Sequence, residues 1–248
     1  MNPMFEAIHL HKRFGDQVVL EDITLSFEAN RVSGIMGPNG AGKTTCFNVL
    51  TGHFKPNRGK VIFDGEDITG LPERAIARKG ISRSFQLMNV FDDYTVLENI
   101  QVALPDVRSR SFNLFKSLPA DSSIRDKAHQ VLKQVGLSEF AGQEAKDLSY
   151  GNRRVLEIGI ALAADPKLLF LDEPTQGLGS DQISQLSNLI QKLREDVTIV
   201  IIEHDMPFLF GLADEISVIH WGQVIRQGTP DELRENKWVK ASNLGKFE

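Results

Sequence analysis

The chain has 248 residues, with 28 Lys or Arg against 33 Asp or Glu and a formal net charge of −5. Hydrophobic residues make up 41% and charged residues 25%, which excludes an intrinsically disordered chain. The single cysteine, Cys46, excludes a secreted disulfide scaffold. No uncharged apolar run approaches the roughly 18 residues of a membrane helix.

The N-terminus lacks a basic region followed by an apolar one, so we expect a cytoplasmic protein without an export signal. The mildly acidic balance argues against nucleic acid as a partner. The length indicates one domain over residues 1–248.

The first ninety residues alternate short apolar runs with turn residues. An apolar strand is predicted over 31–36, and it runs through a glycine-rich loop into a helix over 42–50. The other predicted elements are strands within 4–35, at 60–63 and at 81–85, and a helix over 72–79.

The middle of the chain changes character. Thr95 and Glu98 have the spacing of a capping box and predict the start of a helix. Residues 105–119 are basic and partly aromatic, which indicates an inserted loop. Apolar residues at helical spacing predict a helix over 124–135, which Gly136 ends.

From residue 152 onwards, helices and strands alternate. The apolar run at 197–202 is typical of a parallel strand covered on both faces. Helices are also predicted over 153–164 and 183–193, a strand over 167–171, and two strands that turn at Trp221 and Gly222. This alternation favours an α/β fold.

A glycine-rich loop carries the strongest motif. It matches G-x-x-x-x-G-K-[ST] between a predicted strand and a predicted helix. Its glycines let successive N–H groups point at one anion, and the helix N-terminus adds partial positive charge. Lys43 can reach the β- and γ-phosphates, and the Thr44 hydroxyl can coordinate Mg²⁺. This phosphate loop comprises Gly37, Pro38, Asn39, Gly40, Ala41, Gly42, Lys43 and Thr44, and we include Thr45 among the nucleotide-binding residues.

A second motif lies at the end of the predicted strand 167–171. Asp172 follows that strand and can hold Mg²⁺ through water, while Glu173 lies one residue further, where it can face an attacking water. A lone Asp-Glu pair is usually a solvated turn. The apolar run before it and the phosphate loop upstream favour a functional pair.

The segment Leu148-Ser149-Tyr150-Gly151-Asn152, about twenty residues before that strand, completes a recognisable set. With the phosphate loop and Asp172-Glu173-Pro174, the chain resembles the ABC-type ATPase subunits over nearly its whole length. Ser149 and Gly151 precede a predicted helix and form a second anion site. The resemblance implies that two subunits meet head to tail, each ATP lying between one subunit's phosphate loop and the other's signature segment (residues 148–152).

The resemblance assigns further roles. Phe14 matches the aromatic residue that stacks on adenine, and Gln86 matches the glutamine that contacts Mg²⁺ or the water. His204, after the strand 197–202, matches the switch histidine at the γ-phosphate. The implied mechanism is Mg²⁺-dependent ATP hydrolysis with Glu173 as general base, while Lys43 and His204 stabilise the developing charge.

The resemblance implies a P-loop (RecA-like) ATPase core with an antiparallel β subdomain and an inserted helical subdomain. We expect residues 1–90 and 153–248, approximately, to form the core with the β subdomain. Residues 91–152, approximately, would form the helical subdomain that carries the signature segment.

A closer likeness concerns the branched-chain amino acid importers. Glu203-His204-Asp205-Met206, Gly228-Thr229-Pro230 and Asn243-Leu244-Gly245 look like that ATPase subfamily, and related subfamilies serve urea uptake and lipopolysaccharide export. The implied partners are a second ABC ATPase subunit, transmembrane permease subunits and an extracytoplasmic solute-binding protein. The subunit would be peripheral, on the cytoplasmic side of the membrane.

Three positions depart from the family pattern. Tyr150 stands where Gly is commonest, Asn152 where Gln is usual, and Gly179 where Asp or Asn is common in a loop that crosses to the partner subunit. The missing side chain at position 179 would weaken coupling between the two sites.

Apolar residues after Gln86 have two interpretations. Leu87, Met88, Val90 and Phe91 could grip a transmembrane subunit's cytoplasmic helix or form the core of the helical subdomain.

Two other functions are open. A soluble ABC ATPase of DNA repair or translation usually carries a long coiled coil or a second ATPase unit, and this chain has neither. A regulator that binds nucleotide without turnover would not need Glu173 and His204.

Overall fold

The computed structural model describes residues 3–84, 90–105, 107, 122–236 and 239. The strands are β1 (Phe5–Phe14), β2 (Gln17–Phe27), β3 (Val32–Met36), β4 (Arg58–Phe63), β5 (Glu66–Asp67), β6 (Ile81–Arg83), β7 (Leu168–Asp172), β8 (Thr198–Ile202), β9 (Glu215–His220) and β10 (Gln223–Gly228). The helices are α1 (Lys43–Leu50), α2 (Glu73–Arg78), α3 (Val96–Ala103), α4 (Ser122–Val135), α5 (Tyr150–Leu162), α6 (Ser180–Leu193), α7 (Met206–Leu212) and α8 (Pro230–Glu235).

The strands form one sheet with two kinds of pairing. Its order is β5-β4-β1-β2-β10-β9-β3-β8-β7-β6. Strands β9, β3, β8, β7 and β6 pair in parallel, whereas β2, β1, β4 and β5 pair antiparallel. The hairpin of β9 and β10 joins the two halves, because β10 also forms a parallel pair with β2. The expected α/β fold, a P-loop ATPase core with an antiparallel β subdomain, is confirmed.

The register of the parallel strands brings their carboxyl ends together. Ile202 of β8 pairs with Ile35 of β3 on one side and with Asp172 of β7 on the other. Ligand sites of open α/β sheets form at the carboxyl ends of the strands. The segments after β3, β7 and β8 therefore begin side by side.

Two hydrophobic cores hold the sheet in place. The larger one packs α3 to α7 against one face of the parallel strands. The smaller one packs α1 and the antiparallel strands on the opposite face, with Phe170 in edge-to-face contact with Phe5, Phe27 and Phe47. All five residues of β3, β7 and β8 are buried, as expected for strands covered on both faces.

Most local predictions match the structure. The capping box at Thr95 is formed by both hydrogen bonds with Glu98, and α4 ends at Val135, directly before Gly136 with its φ of 77°. The predicted strand over 81–85 is observed over Ile81–Arg83, and residue 85 lies outside the described residues. Most of the predicted insert at 105–119 lies outside the described residues. Within the described ranges, no helix combines the length and apolar character needed to cross a bilayer.

Candidate functional site

The phosphate loop has a backbone that only glycine can form at two points. Gly42 has a φ of 98° and caps α1 at its N-terminus. A Cβ at Gly37 would lie 2.1 Å from the carbonyl oxygen of Ile219. The loop therefore packs tightly on β9 and presents the first N–H groups of α1 as an anion site.

Lys43 opens α1, and its side chain turns back over the loop. Its Nζ donates hydrogen bonds to the carbonyl oxygens of Gly37 (2.8 Å) and Pro38 (3.0 Å). Burial lowers the pKa of Lys43, and the negative charges of Glu173, Asp172 and Glu203 oppose that effect. The ammonium group thus lies beside the anion site, with three carboxylates near enough to stabilise its charge.

Asp172 ends β7, and its carboxyl group is buried. Burial raises its pKa to about 6, with the charge of Glu173 as a second cause, while the charges of Arg154 and Arg83 oppose the rise. Its N–H donates to Ser84 Oγ (3.3 Å), which fixes the end of β7 against the segment after β6. A bound cation would compensate the cost of burying this charge, which fits the expected metal role.

Glu173 leaves the strand in an unusual conformation. Its φ is 45°, in the left-handed region, while its N–H still donates to the carbonyl oxygen of Ile202 (2.8 Å). The Oε1 atom lies 3.6 Å from Nδ1 of His204, whose side chain is 57% exposed. The turn therefore aims the carboxylate away from the sheet, towards the segment after β8.

Of the residues predicted to act in catalysis or metal binding, the structure brings Lys43, Asp172, Glu173 and His204 to one edge of the sheet. Thr44 is exposed on the first turn of α1, and Thr45 is half-buried beside it. Gln86 lies outside the described residues. A cation, two carboxylates and an imidazole beside an anion-binding loop can bind a polyphosphate and activate a water.

Phe14 ends β1 as an exposed ring. It is 44% exposed and packs edge-to-face on Phe54, with ring centroids 5.2 Å apart. The Nζ of Lys12 lies 4.9 Å from the centroid of the Phe14 ring. These contacts hold the Phe14 ring in place, and its exposed part can stack on a planar base.

The signature segment lies against α6. Ser149 caps α5, and its Oγ accepts a hydrogen bond from the N–H of Asn152 (3.2 Å). A Cβ at Gly151 would lie 2.6 Å from Nε2 of Gln182, so a larger residue would displace that side chain. The hydroxyl of Tyr150 donates to the carbonyl oxygen of Gln176 (3.1 Å). The signature segment is therefore tied to residues 175–179, which we call the crossing loop.

Sequence reasoning missed two buried charged residues at this site. Arg154, on α5, donates hydrogen bonds to the carbonyl oxygens of Asp172, Glu173 and Pro174. Glu203, directly after β8, accepts hydrogen bonds from Thr175, His204 and Asp205. Two signals were available in the sequence. Arg154 is a charged residue on the apolar face of a predicted helix, and Glu203 ends a continuous apolar run.

The chain is similar to known proteins over nearly its whole length. The family model described as ABC transporter matches residues 20–176. The chain is 40% identical to the high-affinity branched-chain amino acid transport ATP-binding protein BraF of Pseudomonas aeruginosa, with 98% of each chain covered. It is 32% identical to the lipopolysaccharide export system ATP-binding protein LptB of Haemophilus influenzae, with 96% of each chain covered.

Solved structures lead to the same family. The crystal structure of the ADP conformation of an ATP-binding cassette superposes with a TM-score of 0.89 at 28% identity, covering 99% of this chain and 100% of that one. A dimeric cassette bound to ADP and Pi superposes with a TM-score of 0.76 at 26% identity, covering 92% of this chain and 99% of that one. The family model, the full-length relatives and the overall architecture agree, and the chain belongs to the ABC transporter family as one of its ATP-binding cassettes.

Proposed function

We propose that this ABC ATPase powers the uptake of branched-chain amino acids or a similar small polar solute. Support for that substrate class comes from the named activity of the relative that is 40% identical over 98% of both chains. The observation that carries the catalytic part is the meeting of Lys43, Asp172, Glu173 and His204 at the carboxyl ends of neighbouring parallel strands.

The residues at this edge have separate tasks in hydrolysis. Glu173 accepts the proton of the attacking water, since its carboxylate turns away from the sheet and lies 3.6 Å from Nδ1 of His204. Lys43 and the N–H groups of the phosphate loop stabilise negative charge on the β- and γ-phosphates. His204 hydrogen-bonds the γ-phosphate, and Phe14 stacks on the adenine. Gly40 and Gly42 have positive φ angles, which give the loop its curled backbone.

Mg²⁺ would be held by Thr44 and Asp172, with Gln86 as a further ligand, and would neutralise phosphate charge. The donor set fits, because a hydroxyl and a carboxylate are hard oxygen ligands. The buried carboxylate of Asp172, whose pKa is raised to about 6, also gains from a nearby cation.

We also propose a working dimer in which Ser149 and Gly151 of one subunit close on the ATP of the other. The dimeric cassette with ADP and Pi supports this arrangement. Permease subunits would hold the dimer at the cytoplasmic face of the membrane, and an extracytoplasmic protein would deliver the solute. The core would comprise residues 1–90 and 153–248, approximately, and the signature-bearing helical subdomain residues 91–152.

Two exposed aromatic rings support a permease contact. Phe91 is 56% exposed and lies 5.2 Å from the ring of Tyr94, centroid to centroid. Val90, in contrast, packs partly against the larger core, and Leu87 and Met88 lie outside the described residues. The two interpretations of this segment therefore apply to different residues.

The catalytic assignment is tested by phosphate release with MgATP. Glu173→Gln is expected to lower kcat by about 100-fold or more while leaving the dissociation constant of ATP unchanged. Glu195 is an exposed carboxylate between α6 and β8. Glu195→Gln is the matched control and should keep wild-type turnover. Near-normal hydrolysis in Glu173→Gln would remove Glu173 from the role of general base.

The transport assignment is tested with the cassette and its copurifying membrane subunits in proteoliposomes. Uptake of labelled leucine that requires ATP and an intact Glu173 would support the proposal. ATP-driven movement of urea or of lipopolysaccharide, without leucine transport, would replace it by one of the related functions.

A further inference from the structure

Glu203 is a fully buried carboxylate that no motif assigned a role. It directly follows β8, and its own N–H donates to the carbonyl oxygen of Ile35 (3.1 Å). Its Oε2 accepts hydrogen bonds from the N–H groups of His204 (2.8 Å) and Asp205 (3.2 Å). Its Oε1 accepts from the N–H of Thr175 (3.0 Å) and from the Thr175 hydroxyl.

Four donors on two oxygens account for the burial of this charge. An ionised carboxylate is an acceptor with about four lone-pair positions, and burying one without partners is costly. Here each oxygen serves a different segment of the chain. One oxygen holds the backbone of His204 and Asp205, and the other holds Thr175, which lies 28 residues away in sequence.

The hydrogen bonds of Glu203 form a bridge between the His204 segment and Thr175, which belongs to the crossing loop. Thr175 opens the crossing loop, two residues after Glu173, and that loop ends at Gly179, where α6 begins. His204 lies 3.6 Å from Glu173 on the other side of the bridge. A displacement of the His204 backbone is therefore passed to the crossing loop through a single side chain.

We infer that Glu203 is a positioning residue that couples the His204 segment to the crossing loop, and so links the γ-phosphate to the contact with the partner subunit. The inference rests on the proposed function, in which His204 faces the γ-phosphate and the crossing loop meets the second cassette. A purely structural role would require only that the four bonds stabilise the fold.

Two substitutions each remove part of the hydrogen bonding that joins the His204 segment to the crossing loop. Glu203→Gln keeps the shape of the side chain but replaces one acceptor oxygen by an NH2 group, so that one of the two segments loses its acceptor. Thr175→Val removes only the hydroxyl bond to Oε1. Thr198→Val is the matched control, because Thr198 is also a buried hydroxyl but lies at the opposite end of β8 and accepts from the N–H of Asn30.

Each full-length variant is measured in three ways: melting temperature, dissociation constant of a fluorescent ATP analogue, and dependence of phosphate release on ATP concentration. We expect Glu203→Gln to lower kcat by about 10- to 100-fold and to flatten the cooperative ATP dependence, because misplaced groups cost that much. Analogue affinity should stay within about twofold of wild type. Thr175→Val should show a smaller loss of the same kind, about three- to tenfold.

The double variant distinguishes coupling from two separate defects. If Glu203 and Thr175 act as one bridge, Glu203→Gln with Thr175→Val should lose little more kcat than Glu203→Gln alone. Thr198→Val should lower the melting temperature without lowering kcat. In the Glu173→Gln background, ATP-dependent dimer formation in sedimentation velocity should weaken when Glu203 is changed.

Specific results would overturn the inference. Wild-type kcat and cooperativity in Glu203→Gln, or losses that multiply in the double variant, would show that the bridge only stabilises the fold. If Glu203→Gln does not fold, Thr175→Val decides alone, since wild-type cooperativity in that variant contradicts coupling. Failure of the proposed function is distinguishable, because the wild-type chain would then release no phosphate from MgATP.

Discussion

Arg154 fixes the backbone of Glu173 by a hydrogen bond to its carbonyl oxygen. The Arg154 guanidinium donates to the carbonyl oxygens of Asp172 (2.9 Å) and Glu173 (2.6 Å) and, through Nε, to that of Pro174 (3.2 Å). It also forms a buried ion pair with Glu157 one helical turn further along α5 (2.7 Å). A left-handed φ at a non-glycine residue costs about 1–3 kcal/mol and needs support of this kind.

Removing that support should impair turnover more than nucleotide binding. We expect Arg154→Gln to lower kcat by about 10- to 100-fold, because the carboxylate of Glu173 loses its fixed position. The same change should lower the free energy of unfolding by about 3–5 kcal/mol, because it breaks the buried ion pair with Glu157. Phosphate release and chemical unfolding measure the two effects.

The neighbouring arginine provides a matched control for this variant. Arg153 is less buried and pairs with Asp92 rather than with the turn at Glu173. Arg153→Gln should keep kcat within about twofold of wild type. Wild-type kcat in a folded Arg154→Gln protein would show that Glu173 is positioned without Arg154.

The buried carboxylate of Asp172 should lower the free energy of unfolding when no cation is bound. Its folded pKa of about 6 lies above the usual 3.8. The folded chain therefore binds more protons than the unfolded chain between these values, and the free energy of unfolding falls as pH rises through that window. Well below pH 3.8 the carboxyl is neutral in both states, whereas well above pH 6 the full cost of about 3 kcal/mol is present.

Asp172→Asn removes that cost together with the charge. At pH 7.5 the variant should melt several degrees above wild type in the absence of nucleotide, and the difference should shrink as the pH is lowered from 6 to 4. Its dissociation constant for MgATP should rise, whereas Mg²⁺-free ATP should bind no worse. Calorimetry across that pH range is the measurement, and equal melting temperatures at pH 7.5 would contradict the assigned burial cost.

The predictable part of the site is local in sequence. Apolar runs that end in Gly37, in Asp172-Glu173 and in Glu203-His204 predict strands followed by polar segments, and the sheet brings these segments together. The bonds of Arg154 to residue 172 and of Glu203 to Thr175 span 18 and 28 residues. Such contacts depend on which face of α5 meets β7 and on the placement of β8 between β3 and β7, and no local pattern encodes either.

Some local signals were present but not used. Thr229 and Glu232 form a second capping box before α8, with Pro230 in the first turn. Asp205 caps α7 in the same manner, by accepting a hydrogen bond from the N–H of Phe208 (2.9 Å). Both helices begin within a few residues of a strand end.

Gly179 should accept the acidic residue that is common in the family. It caps α6 with a φ of −80°, and a Cβ at this position would meet nothing within 4 Å. Gly179→Asp should raise the free energy of unfolding by a few tenths of a kcal/mol, because Asp caps a helix slightly better than Gly. It should also steepen the dependence of phosphate release on ATP concentration.

Gly179→Ala separates the carboxylate from the added Cβ. Ala fits the same space and, like Gly, offers no side-chain acceptor to the first turn of α6. Because Ala is less favourable than Gly at an N-cap, Gly179→Ala should melt slightly below wild type. If both variants show the ATP dependence of wild type, the missing side chain at position 179 does not weaken the coupling of the two sites.

Cys46 should react only when the protein opens. It lies on α1 with no exposed surface, in the smaller core beside Phe47, and burial raises its pKa to about 12. The N-terminus of α1 favours the thiolate form of a nearby cysteine, whereas burial disfavours it. In the structure burial dominates, and at pH 8 roughly one thiol in 10⁴ is ionised. We therefore expect maleimide labelling to follow the unfolded fraction and to rise with urea concentration.

A nonhydrolysable ATP analogue with Mg²⁺, at 100 times its dissociation constant, stabilises the folded state by about 2.7 kcal/mol and should slow labelling about 100-fold. Mass spectrometry over a urea series measures both effects, with fully unfolded protein as the control in which the analogue makes no difference. Rapid labelling in native buffer that neither urea nor the analogue changes would show that Cys46 is accessible in the folded state.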